Sequence, residues 1–191
     1  MLLLFAFACA PTPEAAGPTA GDTAEDCSWE APSNTWSVSV PPGCPTGEGF
    51  AEGQTVPDLR LVDQFGDTVS LWQFHGDLIL LDFSSMWGTQ MWPREIASVG
   101  ADHAGAGVMT VSVLFEDAQG DIPDQEDVED WIQYTGAVGP VLTDTEDHWE
   151  AVSDTQAFPY ILLINRELEV VEENLHWQEE GRIREAVESR L

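Results

Sequence analysis

Two long apolar runs constrain the fold of this chain most. Residues 78–83 read LILLDF and residues 107–115 read GVMTVSVLF. Runs that are apolar along almost their whole length are typical of strands covered on both faces. Since helices provide that cover in parallel and mixed sheets, the two runs favour an α/β layer architecture.

Further elements are predicted before, between and after these strands. They are helices at residues 93–103, 124–134 and 179–191, a short strand at 141–142, and hairpins at 59–71 and 160–172. Apolar residues at helical spacing mark the buried face of the last helix, namely Ile183, Ala186, Val187 and Leu191. Strands that alternate with helices and end in a hairpin and a helix predict one α/β domain over residues 51–191.

The first 26 residues differ from the rest in composition. Residues 1–8 are apolar and resemble the end of an export signal, and the sequence AFAC at 6–9 resembles a bacterial lipobox, in which Cys9 carries the lipid. Residues 9–26 are rich in Pro, Thr, Ala and Gly, which predicts a disordered tether. We expect an exported protein of the bacterial cell envelope or periplasm, anchored through Cys9. The alternatives are a cleaved soluble export signal and an incidental apolar start.

The chain has three cysteines, and two of them fall in residues 27–50. In an oxidising compartment Cys27 and Cys44 form an even pair, which favours a disulfide. A bridge that closes this loop contributes about 3 kcal/mol in the chain-entropy account. We therefore expect residues 27–50 to be a stapled extension, with a redox-active or free pair as the alternative.

The charge is strongly unbalanced, with 6 basic and 35 acidic residues and a formal net charge of −29. This balance argues against a nucleic-acid-binding protein, which needs a basic footprint. It also disfavours electrostatic docking on anionic lipid. The charge indicates a solvated acidic surface, with selection for a cationic partner as the alternative.

A resemblance to a known family rests on an ordered series of motifs. They are VPDLRLVDQFG at 56–66, VSL at 69–71, Gly76, LDFSSMW at 81–87, GVMTVSV at 107–113 and AFP at 157–159. Over residues 53–191 the chain resembles redoxin-type thioredoxin-like domains, among them the exported TlpA-like thiol:disulfide oxidoreductases. The resemblance implies a central mixed β-sheet flanked by helices, with an N-terminal β-hairpin extension. It also implies a cis peptide bond at Pro159, beside the family's active site.

The chain departs from that family at the catalytic motif. Where the family has Trp-Cys-x-x-Cys, residues 87–91 read WGTQM, so Gly88 takes the nucleophile position and Met91 the resolving position. Thiol–disulfide exchange needs a thiolate and a second thiol, and neither residue supplies one. We therefore assign no catalytic residue. Pro93 lacks a backbone donor, which predicts a helix start near Trp92 and a loop over residues 88–91.

A binding groove remains as the candidate site. In the resembled family an extended peptide lies beside the cis-proline, and backbone pairing of that kind needs no cysteine. We call the following residues the candidate groove: Trp87, Thr89, Gln90, Met91, Trp92, Phe158 and Pro159. The alternative is that Trp87 and Phe158 simply fill the core.

The favoured function is a redox-inactive binding or scaffolding module that takes an extended peptide or protein segment. A noncanonical oxidoreductase that uses Cys27 and Cys44, or an external thiol, is one alternative. A structural envelope protein with a vestigial groove is another.

No cofactor or metal site is assigned. The four histidines, His75, His103, His148 and His176, lack metal-ligand spacing and are expected at the surface or in turns. The acidic runs at 117–130 and 144–147 lack the glycine and the spacing of a calcium-binding loop.

Overall fold

The computed structural model describes residues 29–43, 45–88, 91–152, 157–175 and 181–191, with Met91 described by its backbone alone. Several predictions concern residues outside these ranges and stay predictions. They are those on Cys9, Cys27, Cys44, Thr89, Gln90 and His176.

The secondary structure follows the predicted order. The strands are β1 (Arg60–Asp63), β2 (Thr68–Ser70), β3 (Leu78–Ser85), β4 (Val108–Glu116), β5 (Val141–Thr143), β6 (Tyr160–Ile164) and β7 (Val170–Glu172). The α-helices are α1 (Met91–His103), α2 (Gln125–Thr135) and α3 (Arg182–Glu188). Short 3₁₀ turns occupy Leu71–Gln73, Ala104–Ala106 and His148–Ala151. Asp124 begins α2, because its carboxylate accepts the backbone N–H groups of Glu126 and Asp127.

The strands form one mixed sheet in the order β2-β1-β5-β4-β3-β6-β7. β3 and β5 run parallel to β4, and the other neighbours are antiparallel. The predicted mixed sheet and N-terminal hairpin are therefore confirmed. α1 and α2 lie in the crossover connections that the parallel pairs β3–β4 and β4–β5 require, and α3 follows β7.

β3 is covered on both faces, as its apolar sequence predicts. Alternate residues Ile79, Leu81 and Phe83 join one core cluster, whereas Leu78 and Leu80 join a second cluster with α1 and α3. α2 packs on the end of β4 through a third cluster that contains Trp131. β3 ends at Ser85 and α1 begins at Met91, so the carboxyl end of β3 leads into the start of α1.

Two details of the helix predictions are wrong. α3 ends at Glu188, so Leu191 lies beyond it and is exposed, whereas Ile183, Ala186 and Val187 are buried as predicted. α1 begins at Met91, so Met91 belongs to the helix and not to the predicted loop. Pro93 is tolerated because it falls in the first turn, where backbone N–H groups have no intrahelical acceptor.

The segment 29–43 packs on the β1–β2 hairpin through hydrogen bonds of its side chains. The Trp29 indole donates to Asp58 and Ser70, both at 3.1 Å. The Trp36 indole donates to Asp63 at 2.6 Å. Within the part of the chain that the structure describes, no helix combines the length and hydrophobicity needed to cross a bilayer.

Candidate functional site

The sheet register brings Pro159 beside the end of β3. Phe83 lies opposite Tyr160 in the antiparallel pair of β3 and β6, so the residues just before β6 lie beside the last residues of β3. The Phe158–Pro159 bond is cis. On the other side, β3 ends at Ser85, and the N–H of Gly88 donates to the Ser85 carbonyl at 3.2 Å. Gly88 and Pro159 are thus at the same end of the sheet.

Trp87 lies on the surface of this end rather than in the core. Its side chain is 55% exposed. The indole Nε1 donates to Glu116 Oε2 at 2.6 Å, which ties the ring to the last residue of β4. The ring is therefore oriented by one hydrogen bond and largely open to solvent.

Phe158 is half-buried in an aromatic cluster with Phe115 and Trp149. Its ring centroid is 4.5 Å from that of Phe115 and 5.6 Å from that of Trp149, and the latter two are 4.9 Å apart. The packing alternative therefore describes Phe158 in part. Sequence reasoning missed Trp149, although a tryptophan inside an acidic segment is a usable signal.

β4 contacts both Trp87 and the aromatic cluster around Phe158. Phe158 contacts Phe115, and Trp87 is hydrogen-bonded to the next residue, Glu116. Trp92 has a different environment, because it packs against the second core cluster with α1 and α3. Trp92 is partly buried in this contact.

Asp82 is a buried carboxyl group three residues before the end of β3. It was not singled out by the sequence analysis. Its side chain is 0% exposed, and Ser84 Oγ donates to its oxygens at 2.9 Å. Burial raises the pKa of Asp82 to about 7, although hydrogen bonds from Ser84 and Ser112 partly oppose the shift. The signal was an acidic residue inside an otherwise apolar run.

Around Gly88 the described residues offer polar groups but no thiol. Ser85 is buried and its Oγ has no hydrogen-bond partner in the described part of the chain. All three cysteines precede residue 45 in the sequence. The described ranges also contain no group of three His, Cys, Asp or Glu side chains able to hold a metal ion.

Two histidines lie against carboxylates. His148 Nδ1 is 2.9 Å from Asp144 Oδ1, and His103 Nε2 is 3.3 Å from Glu188 Oε1. Asp144 is buried and also accepts the backbone N–H of Trp149 at 2.9 Å, so His148 helps to hold the turn that carries Trp149.

Comparison with known proteins identifies the fold. No family model and no curated protein matches the chain. Solved structures do: the thioredoxin domain of a thiol-disulfide oxidoreductase from Bacteroides vulgatus is 19% identical, with a TM-score of 0.61 over 73% of this chain and 96% of that one. A thiol:disulfide interchange protein from Bacteroides sp. is 20% identical, with a TM-score of 0.60 over 73% and 90% of the two chains.

A third structure, a thioredoxin family thiol:disulfide interchange protein from Chlorobium tepidum TLS, is 16% identical, with a TM-score of 0.59 over 73% of this chain and 97% of that one. The protein therefore has a thioredoxin-like fold. The solved structures that share this fold with it include thiol-disulfide oxidoreductases.

Proposed function

We propose that this protein is an exported, lipid-anchored thioredoxin-like domain that lacks dithiol chemistry and binds an extended peptide or protein segment beside Pro159. The observation that carries the proposal is that Gly88 directly follows an exposed Trp87 at the end of β3. The place where the resembled family has its nucleophile holds a residue without a side chain, next to an open aromatic surface.

The chemical argument concerns what residue 88 can do. Exchange begins when a thiolate attacks a disulfide sulfur, and a second thiol then releases the mixed disulfide. A helix N-terminus such as that of α1 lowers a cysteine pKa, but it has no effect on a glycine. Recognition of a strand through backbone pairing has no such requirement.

The binding argument rests on the aromatic residues at this end. Exposed Trp87 and half-buried Phe158 flank β4, with Phe115 and Trp149 packed behind Phe158. Aromatic side chains supply much of the energy at binding surfaces, because they bury a large area at low entropic cost. A ring fixed by neighbours loses less freedom on binding than a mobile one.

Export and anchoring are supported by the sequence around Cys9. The lipobox-like residues 6–9 and the Pro/Thr/Ala/Gly-rich tether after them suit a domain held away from a membrane. The anchor would keep the binding site at the envelope surface.

The test is selection of a random linear peptide library on the full chain. A selected peptide should bind Trp87→Ala at least about tenfold more weakly, as expected for an aromatic anchor. Phe65→Ala is the matched control, because Phe65 is 65% exposed at the β1–β2 turn and should leave the affinity unchanged. Selection of no peptide, or equal affinity for Trp87→Ala, would contradict the proposal.

A further inference from the structure

A surface cavity of about 460 Å³, open to solvent, lies where α1 meets α2. Its volume is within the range of small-molecule sites. It is lined by Met86, Arg94, Asp130, Trp131, Gln133 and Tyr134. None of these residues belongs to the candidate groove, although Met86 directly precedes Trp87 in the chain.

Arg94 supplies a positive charge that forms no ion pair with a carboxylate of the described residues. Its guanidinium carbon is 3.9 Å from the centroid of the Tyr134 ring, and its Nε donates to the Tyr134 carbonyl at 3.1 Å. These contacts fix the side chain and leave both terminal nitrogens without an acceptor in the described part of the chain. Four of the other five arginines, Arg60, Arg182, Arg184 and Arg190, each pair with at least one carboxylate. Arg166 has no ion pair among the described residues and donates to the Ala106 carbonyl at 3.4 Å.

Asp130 supplies the opposite charge in the same cavity. It is exposed, and it makes neither a hydrogen bond nor an ion pair with any residue of the described ranges. Asp130 and Arg94 therefore line one cavity without forming an ion pair with each other. Arg94 thus stays without an ion pair among the described residues, although an acid lines the same cavity.

The remaining walls are aromatic and apolar. Met86 contributes a flexible apolar side chain, and Tyr134 contributes a flat ring. Trp131 is 2% exposed, and its indole N–H has no acceptor among the described residues. Buried donors are rarely left unpaired, so this N–H is available to a ligand oxygen after a small adjustment of the wall.

We propose that this cavity binds a free α-amino acid with an aromatic or large apolar side chain. The carboxylate would pair with the terminal nitrogens of Arg94, which suit two parallel hydrogen bonds. The ammonium would face Asp130, and the side chain would pack on Met86 and Trp131. A simple anion would meet Asp130 and a net charge of −29, whereas a simple cation would meet Arg94.

The experiment is an NMR titration of the ¹⁵N-labelled full chain with L-phenylalanine. Two half-ligands serve as probes of each charge: 3-phenylpropionate keeps the carboxylate, and phenethylamine keeps the ammonium. The readout is the shift of the Trp131 indole N–H resonance, assigned with Trp131→Phe. We expect saturation at millimolar concentration or below, with each half-ligand bound at least about tenfold more weakly, the loss that one charged hydrogen bond accounts for.

Two variants test whether Arg94 binds the ligand carboxylate and Asp130 binds the ligand ammonium. In Arg94→Gln, L-phenylalanine should bind no better than phenethylamine, and in Asp130→Asn no better than 3-phenylpropionate. Arg166→Gln and Glu129→Gln are the matched controls, since neither residue lines the cavity, and both should bind like the unmodified protein. Equal affinity for the amino acid and a half-ligand would overturn the proposal, as would wild-type affinity in Arg94→Gln or absence of a saturable shift. The peptide selection described above concerns other residues, so either result leaves the other proposal intact.

Discussion

Buried polar side chains are fully hydrogen-bonded at one edge of the sheet, whereas at the end of β3 one is left without a partner among the described residues. We call the β1–β2 hairpin and the 3₁₀ turn that follows it the hairpin edge. At the hairpin edge, the Gln73 side chain is 0% exposed and fully used: Oε1 accepts from Ser70 N and Asn34 Nδ2, and Nε2 donates to Asn34 Oδ1 and the Ser37 carbonyl. At the end of β3, Ser85 Oγ has no partner in the described residues.

The aspartates of the two regions show the same difference. Asp63 is buried beside the β1–β2 turn and accepts three N–H groups, from Phe65, Asp67 and Trp36. Asp82 is buried in β3 and has only serine hydroxyls as partners. The hairpin edge is thus arranged for stability, whereas the end of β3 carries polar groups that the fold does not need. Such groups concentrate at functional sites.

The largest expected effect concerns the pH dependence of stability through Asp82. Its folded-state pKa of about 7 lies above the unfolded value of 3.8, so the folded protein binds this proton more tightly. The contribution of Asp82 to stability is therefore fully present below pH 3.8 and falls as the pH rises to 7, by about 4 kcal/mol in total. Asn does not titrate, so the free energy of unfolding of Asp82→Asn minus that of wild type should increase as the pH rises from 5 to 8. Urea unfolding at several pH values measures this difference.

Asp117 provides a control of opposite sign. The backbone N–H groups of Asp121 and Gln119 donate to its carboxylate and hold its pKa below the usual range. Asp117→Asn should therefore be less stable than wild type at neutral pH. The difference in the free energy of unfolding between the two should become smaller as the pH falls. An Asp82→Asn difference that is the same at pH 5 and pH 8 would refute the account of Asp82.

The second effect compares Gln73 with Ser85. Gln73→Ala removes a buried hydrogen-bonded side chain and strands the Ser70 N–H and the Ser37 carbonyl, at an expected cost of about 2–4 kcal/mol. Ser85→Ala removes a hydroxyl without a partner, so its free energy of unfolding should stay within about 0.5 kcal/mol of wild type or rise. Equal losses in urea unfolding would show that the two regions do not differ.

The smallest effect on stability is expected for Trp87→Ala. Because most of the indole is exposed and it makes one surface hydrogen bond, the free energy of unfolding should change by less than about 1 kcal/mol. Thermal unfolding measured by calorimetry tests this. A larger loss would mean that Trp87 is a packing residue, and the candidate groove would lose its main exposed side chain.

The sequence predicted the sheet well because burial on both faces leaves a direct record in residue type. The LILLDF run became β3, and the hairpin at 59–71 became β1 and β2. Leu191 was misjudged because helical spacing does not show where a helix ends. For the site, the family resemblance implied that Gly88 and Pro159 lie close together, and the structure has both at one end of the sheet. Trp87 and Trp92 looked alike in sequence, and only packing distinguished the exposed ring from the packed one.

The cavity between α1 and α2 could not be predicted. Arg94 and Asp130 are 36 positions apart, and their shared cavity depends on how two helices pack against β4. Asp82, in contrast, was visible as one acid in an apolar run and was passed over.

The central claim is that the fold persists without dithiol chemistry, and a protein-disulfide reduction assay tests it most directly. The assay compares wild type with Gly88→Cys/Met91→Cys. A Cβ at residue 88 would lie 3.2 Å from Ser85 Oγ, and a small rotation of that hydroxyl accommodates it. We expect no turnover by wild type above the uncatalysed rate, and turnover by the double variant. Turnover by wild type that is lost in Cys27→Ser/Cys44→Ser would contradict the account.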